Sequence, residues 1–90
     1  MRALYLVVVY DVAVERLDRV RSVLKQYLNW VQNSAFEGEL TAGTLEELKL
    51  KLSDVIEEDR DSLLFYSVSN PKWLDKDVMG VEKSAPSTVV

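Results

Sequence analysis

Ninety residues with a formal net charge of −4 and 48% apolar side chains are enough for one small folded domain, and the apolar share excludes global disorder. There is no cysteine and no histidine. Disulfides, thiolate metal sites and imidazole chemistry are therefore excluded, and any acid–base or metal work falls to carboxylates, tyrosine, lysine or water.

The first element is the run Leu4-Tyr5-Leu6-Val7-Val8-Val9-Tyr10, which ends on Asp11. Its continuous apolarity predicts a central strand covered by helices on at least one face. An acid at the end of such a strand needs a reason, because aspartate is disfavoured in strands and is seldom buried unpaired. The run is also far short of the roughly 20 apolar residues that span a bilayer, and no small-residue cleavage site follows it. A cytoplasmic protein with no membrane role is expected.

Val14, Leu17, Val20, Val23, Leu24, Tyr27 and Leu28 then recur on one face of a helix over about 14–28, with Ala13 offering no side-chain cap. Residues 29–32 and 35–40 read as a short hairpin turning at Asn33-Ser34. Thr41 or Thr44 caps a second helix, whose buried face is Leu45, Leu48, Leu52, Val55 and Ile56. It should stop by Glu57, because acids at a helix C-terminus oppose the dipole. A further strand spans Ser62 to Ser69 and is broken by Asn70-Pro71. A helical turn over 72–75, a short last strand over 77–83 and a flexible tail over 84–90 complete the chain, leaving residues 1–83 as a single domain.

This order predicts an α+β fold, the β-α-β-β-α-β sandwich of ferredoxin-like proteins with an extra short C-terminal strand. Both helices cover one face of the sheet. The open face of so small a domain is expected to be covered by a second copy, giving a homodimer. Charge is uneven along the chain. Residues 1–30 carry five basic and three acidic side chains, and residues 31–62 carry three basic and nine acidic ones. A basic end of this kind suits phosphates even in an acidic chain.

The strand ending Tyr10-Asp11, the helix pattern Arg19-Val20-x-x-x-Leu24, the segment Val31-Gln32-x-Ser34-x-Phe36-Glu37-Gly38 and the helix Leu45-Glu46-Glu47-Leu48 together resemble the CRISPR-associated adaptation protein of the Cas-two family, also called a CRISPR-associated endoribonuclease. The resemblance covers residues 3 to about 83. It implies a ferredoxin-like homodimer that partners the Cas-one integrase in capturing foreign DNA as new spacers. Family members have also been assigned metal-dependent cleavage of double-stranded DNA or single-stranded RNA. The family's metal-binding acid maps onto Asp11, which becomes the candidate catalytic and metal-ligating residue. Two copies of Asp11 across a twofold axis could share one Mg²⁺ or Mn²⁺, since hard cations need several oxygens.

Arg19 matches a basic family position, Arg16 lies beside it, Phe36 matches an aromatic associated with activity, and Tyr10 adjoins the acid. These four are the nucleic-acid-binding candidates. The chain departs from the family at Trp30, where relatives often carry a basic residue; tryptophan could stack on a base there. Plainer readings stand beside these. Asp11 suits a turn or cap, the helically spaced cations Arg16, Arg19, Arg21 and Lys25 suit a solvated face, and Tyr10, Phe36, Tyr66 and Trp73 suit a core or an interface. Functionally, a nuclease working through Asp11 and a non-catalytic adaptor bridging integrase and DNA both remain open. A small ligand-binding regulatory domain is a remote alternative, disfavoured by the scattered glycines.

Overall fold

The computed structural model describes residues 3–75 and 77–80. Its elements are β1 (Ala3–Asp11), α1 (Val14–Lys25), β2 (Asn29–Gln32), β3 (Ala35–Thr41), α2 (Ala42–Ser53), β4 (Ser62–Val68) and a 3₁₀ turn at Pro71–Trp73. The four strands form one antiparallel sheet in the order β2-β3-β1-β4. The longest apolar strand is central, and the fold is the ferredoxin-like sandwich. Of the short last strand expected over 77–83, residues 77–80 carry no strand and residues 81–83 lie outside the described residues, as does the expected tail at 84–90. No helix among the described residues is long and apolar enough to cross a membrane.

Strand alternation sorts β1 into two sets. Leu6, Val8 and Tyr10 point toward the helices and are buried with Phe36 and Leu40 of β3, Val20 and Leu24 of α1, Leu28, and Leu48 and Leu52 of α2. Tyr5, Val7, Val9 and Asp11 point to the other face. They stand directly opposite Val68, Tyr66, Leu64 and Ser62 of β4. No helix among the described residues covers that face, so Val9, Leu64 and Tyr66 remain 36%, 50% and 58% exposed. The continuous apolar run of β1 thus feeds one buried face and one open apolar face.

Both helices end earlier than their apolar periodicity predicts. α1 stops at Lys25, where the N–H groups of Tyr27 and Leu28 turn back to the Leu24 carbonyl; Leu28 stays in the core from outside the helix. α2 starts at Thr41, whose hydroxyl accepts the Thr44 N–H at 3.2 Å, so Thr41 is the cap. It stops at Ser53, four residues before Glu57. There a turn forms in which Asp61 accepts the Glu57 N–H at 2.9 Å and donates its own N–H to the Glu57 carbonyl at 2.7 Å. An aspartate that satisfies backbone groups in this way competes with further helix.

Gly38 lies where β3 passes beneath Leu28, and a Cβ there would stand 3.1 Å from Leu28 Cδ2. Beside it, Phe36 is fully buried and is among the largest core side chains. Phe36→Ala should cost about 3–5 kcal/mol, the usual range for an aromatic-to-alanine cavity. A urea titration that showed an unchanged midpoint would refute that packing.

Candidate functional site

Because Tyr10 turns into the core, its neighbour Asp11 turns out of it. Asp11 is exposed at the end of β1, on the open sheet face and opposite Ser62. This answers why an apolar strand can end on an acid: alternation places the carboxylate at the rim, in solvent. Among the described residues no group of three or more histidine, cysteine, aspartate or glutamate side chains could hold a metal ion. Within one protomer Asp11 therefore belongs to no cluster of three such side chains among the described residues, and so offers fewer oxygens than a hard divalent cation takes. A groove of about 360 Å³ between α2 and β4, walled by Leu52, Ile56, Leu63 and Phe65, opens on the helix side and does not include Asp11.

The corner that carries Asp11 is fixed from a distant part of the chain by Asp61. The Asp61 side chain is completely enclosed. It accepts Arg16 Nε at 2.6 Å and Arg16 Nη2 at 2.8 Å in a two-pronged pair, together with the backbone N–H of Ala13 at 3.0 Å and of Glu57. Ala13 is two residues beyond Asp11. Asp61 thereby supplies the N-terminal anion that α1 lacks from its own cap. The Arg16 hydrogen bonds, aided by the two backbone N–H groups, hold the Asp61 carboxyl well below the ordinary carboxylate range. The same bond, reinforced by the charges of Asp61, Glu57 and Glu15, pushes the Arg16 guanidinium above its ordinary value. Sequence reading missed Asp61, which closes the acidic stretch Glu57-Glu58-Asp59-Arg60-Asp61 just before a strand and is not set apart from its neighbours by any local pattern.

Three of the four nucleic-acid-binding candidates are corrected. Arg16 is committed to Asp61 and lies within 3.4 Å of Glu57 and 3.6 Å of Glu15, with a side chain only 11% exposed. It is a structural cation, drawn inward because only a guanidinium can meet the buried carboxylate two-pronged. Tyr10 is 3% exposed; its hydroxyl donates to the Asn33 carbonyl at 2.7 Å and accepts Arg21 Nε at 3.1 Å. Its ring lies 5.9 Å from that of Phe36, which has no exposure at all. Neither ring presents a face to a base, because both occupy helix-facing positions of the sheet. Arg19 alone is exposed and makes no ion pair with the described residues. Tyr66 and Trp73, at 58% and 71% exposure, are not core residues.

Comparison with known proteins agrees with this architecture. The sequence model described as CRISPR associated protein Cas2 matches residues 4–76. The chain is similar to the CRISPR-associated endoribonuclease Cas2 of Methanosarcina acetivorans, with 45% identity over 97% of this chain and 100% of the relative. It is also similar to a CRISPR-associated endoribonuclease Cas2 of Archaeoglobus fulgidus, with 49% identity over 88% of this chain and 86% of the other. Among solved structures, one described as the crystal structure of cas2 superimposes with a TM-score of 0.82 at 45% identity, covering 98% of this chain and 99% of that one. Streptococcus pyogenes Cas2 at pH 6.5 gives 0.71 at 30% identity, covering 83% and 99%.

Proposed function

The chain belongs to the CRISPR-associated Cas2 family, and from that premise we propose that it works as a homodimer in CRISPR adaptation, partnering the Cas-one integrase in capturing foreign DNA. The observation that carries this reading is the family match over residues 4–76, which includes the strand that presents Asp11 beside an uncovered apolar sheet face. That face, with Val9, Leu64 and Tyr66 exposed on it, is what a second copy would cover. Asp11 stands at its rim, so pairing through the face brings two acidic rims into one assembly.

Two mechanisms then compete. In the first, the dimer is a scaffold that lies against DNA and joins integrase assemblies without cutting. The lack of histidine and the absence, among the described residues, of any cluster of three or more acidic side chains around Asp11 favour it. In the second, the two Asp11 side chains of a dimer hold Mg²⁺ or Mn²⁺ between them. The ion, when bound, would polarise a water and offset charge on a scissile phosphate of DNA or RNA. The relatives' name, CRISPR-associated endoribonuclease, favours this second reading.

Asp11→Ala separates the two. On the scaffold reading, the variant forms the same dimer and integrates spacers with the cognate integrase as the wild type does. On the nuclease reading, cleavage of double-stranded DNA or single-stranded RNA in Mg²⁺, sensitive to a chelator, is present in the wild type and abolished in the variant. A wild-type dimer that supports no integration with its integrase would refute the adaptation role itself.

A further inference from the structure

The end of the sheet that carries Asp11 holds a second oxygen donor. Ser62 opens β4 directly opposite Asp11, and both residues are exposed. Ser62 shares the alternation of Leu64 and Tyr66, so its side chain belongs to the same open face as the Asp11 carboxylate. Residues directly opposite on adjacent antiparallel strands have Cβ atoms about 5 Å apart. The two side chains can therefore reach one small ion, whose ligand oxygens stand about 2.1 Å from it in the case of Mg²⁺. Neither side chain is engaged by a hydrogen bond or ion pair with the described residues. The next row inward, Val9 opposite Leu64, is apolar. Asp11 and Ser62 thus form a polar boundary to the face that a second copy would cover.

The backbone around this pair is held, while the pair itself is uncommitted. Asp61 immediately precedes Ser62, and its enclosed carboxylate accepts the N–H of Ala13, two residues past Asp11, at 3.0 Å. One side chain therefore ties the chain beside both members of the pair. On the other flank of β1, the Tyr10 N–H donates to the Ser34 carbonyl at 2.9 Å. Two adjacent oxygen donors on a fixed frame are what a pre-organised ligand pair requires.

We propose that Ser62 is a metal-ligating partner of Asp11, so that a divalent cation in the dimer is held by a carboxylate and a hydroxyl from each protomer. The proposal rests on the metal reading above and adds a residue to it. Charge and hardness select the ligand. Two carboxylates match the charge of one Mg²⁺ or Mn²⁺, and two hydroxyls add hard oxygens without adding charge. The apolar row of Val9 and Leu64 behind the pair lowers the local dielectric once the face is covered, which strengthens the attraction between ion and carboxylates.

The test is Mn²⁺ binding to the intact dimer, followed as free ion by electron paramagnetic resonance, for the wild type, Asp11→Ala, Ser62→Ala and Ser62→Thr. Ser62→Ala should weaken binding about tenfold or more, the scale on which metal sites respond to loss of a supporting group. Ser62→Thr keeps the hydroxyl and suits a strand, so it should bind within about twofold of the wild type. Both serine variants should keep the dimer mass and the thermal midpoint, because the side chain they alter is exposed. Wild-type affinity in Ser62→Ala, with binding lost in Asp11→Ala, overturns the role of Ser62 and leaves the metal reading of Asp11 standing. Equal loss in Ser62→Ala and Ser62→Thr, or a fall in dimer mass alongside the affinity, overturns it in favour of a structural role. Binding that survives in Asp11→Ala, or no Mn²⁺ binding by the wild type, overturns this proposal and the metal reading together and leaves the adaptation role standing.

Discussion

Asp61→Asn is expected to lower the thermal midpoint by at least about 10 °C, although the substitution is nearly isosteric. The loss arises because the Arg16 guanidinium, 11% exposed, would keep only partial compensation from Glu57 and Glu15 at 3.4 and 3.6 Å. Breaking one side of an enclosed pair strands the other charge, which costs more than the pair contributed. The N–H groups of Ala13 and Glu57 would also lose a full anion as acceptor. Since Ala13 follows Asp11 by two residues, the corner that presents Asp11 should loosen with it.

The pH dependence has a definite sign. The folded-state pKa of Asp61 lies below its ordinary value of 3.8, so the unfolded chain takes up the proton first. The stabilisation is fully present above the ordinary carboxylate value and is lost as pH falls from about 4 toward the folded-state value. Wild-type melts should hold their midpoint from neutral pH down to that range and then fall. The Asn variant should begin lower and show a shallower acid slope. A variant that melted with the wild type at neutral pH would show that this enclosed pair is not what fixes the corner.

Leu64→Asp and Tyr66→Asp are expected to convert the dimer to a folded monomer and to abolish spacer integration. Both side chains are at least half exposed on the open sheet face, so a charge there does not disturb the protomer's core. In a paired face the same charge would be desolvated without a partner, which should weaken association by about a hundredfold or more. Leu50→Asp is the matched control: Leu50 is 69% exposed, on the outer side of α2, and its substitution should leave the dimer intact. Light scattering at micromolar concentration decides the matter. Dimers from both sheet-face variants would mean that the second copy sits elsewhere, and a monomeric Leu50→Asp would point to α2.

Much of the fold was legible because its signals are local. The continuous apolar run from Leu4 to Tyr10, the period near 3.6 from Val14, the Asn33-Ser34 turn and the threonine cap at Thr41 or Thr44 each act over a few residues. Together they led to the observed element order, to a central first strand and to one uncovered face. Helix ends were less legible: α2 stops at Ser53, where the N–H groups of Val55 and Ile56 turn back to the Leu52 carbonyl although the apolar spacing runs on to Ile56.

For the candidate site the division is sharper. The sequence by itself determined that Asp11 ends the central strand; that it lies on the open face follows from the structure, which turns Tyr10 into the core. Only the tertiary structure decided which cations are available to a ligand. Arg16 is bound to an aspartate 45 residues away, Tyr10 and Phe36 are enclosed, Arg21 and Lys25 lie over the Trp30 ring, and Lys51 lies over that of Tyr27. The physical reason is range: backbone periodicity is written into neighbouring residues, whereas burial and charge pairing depend on which distant side chains the folded sheet and helices bring together.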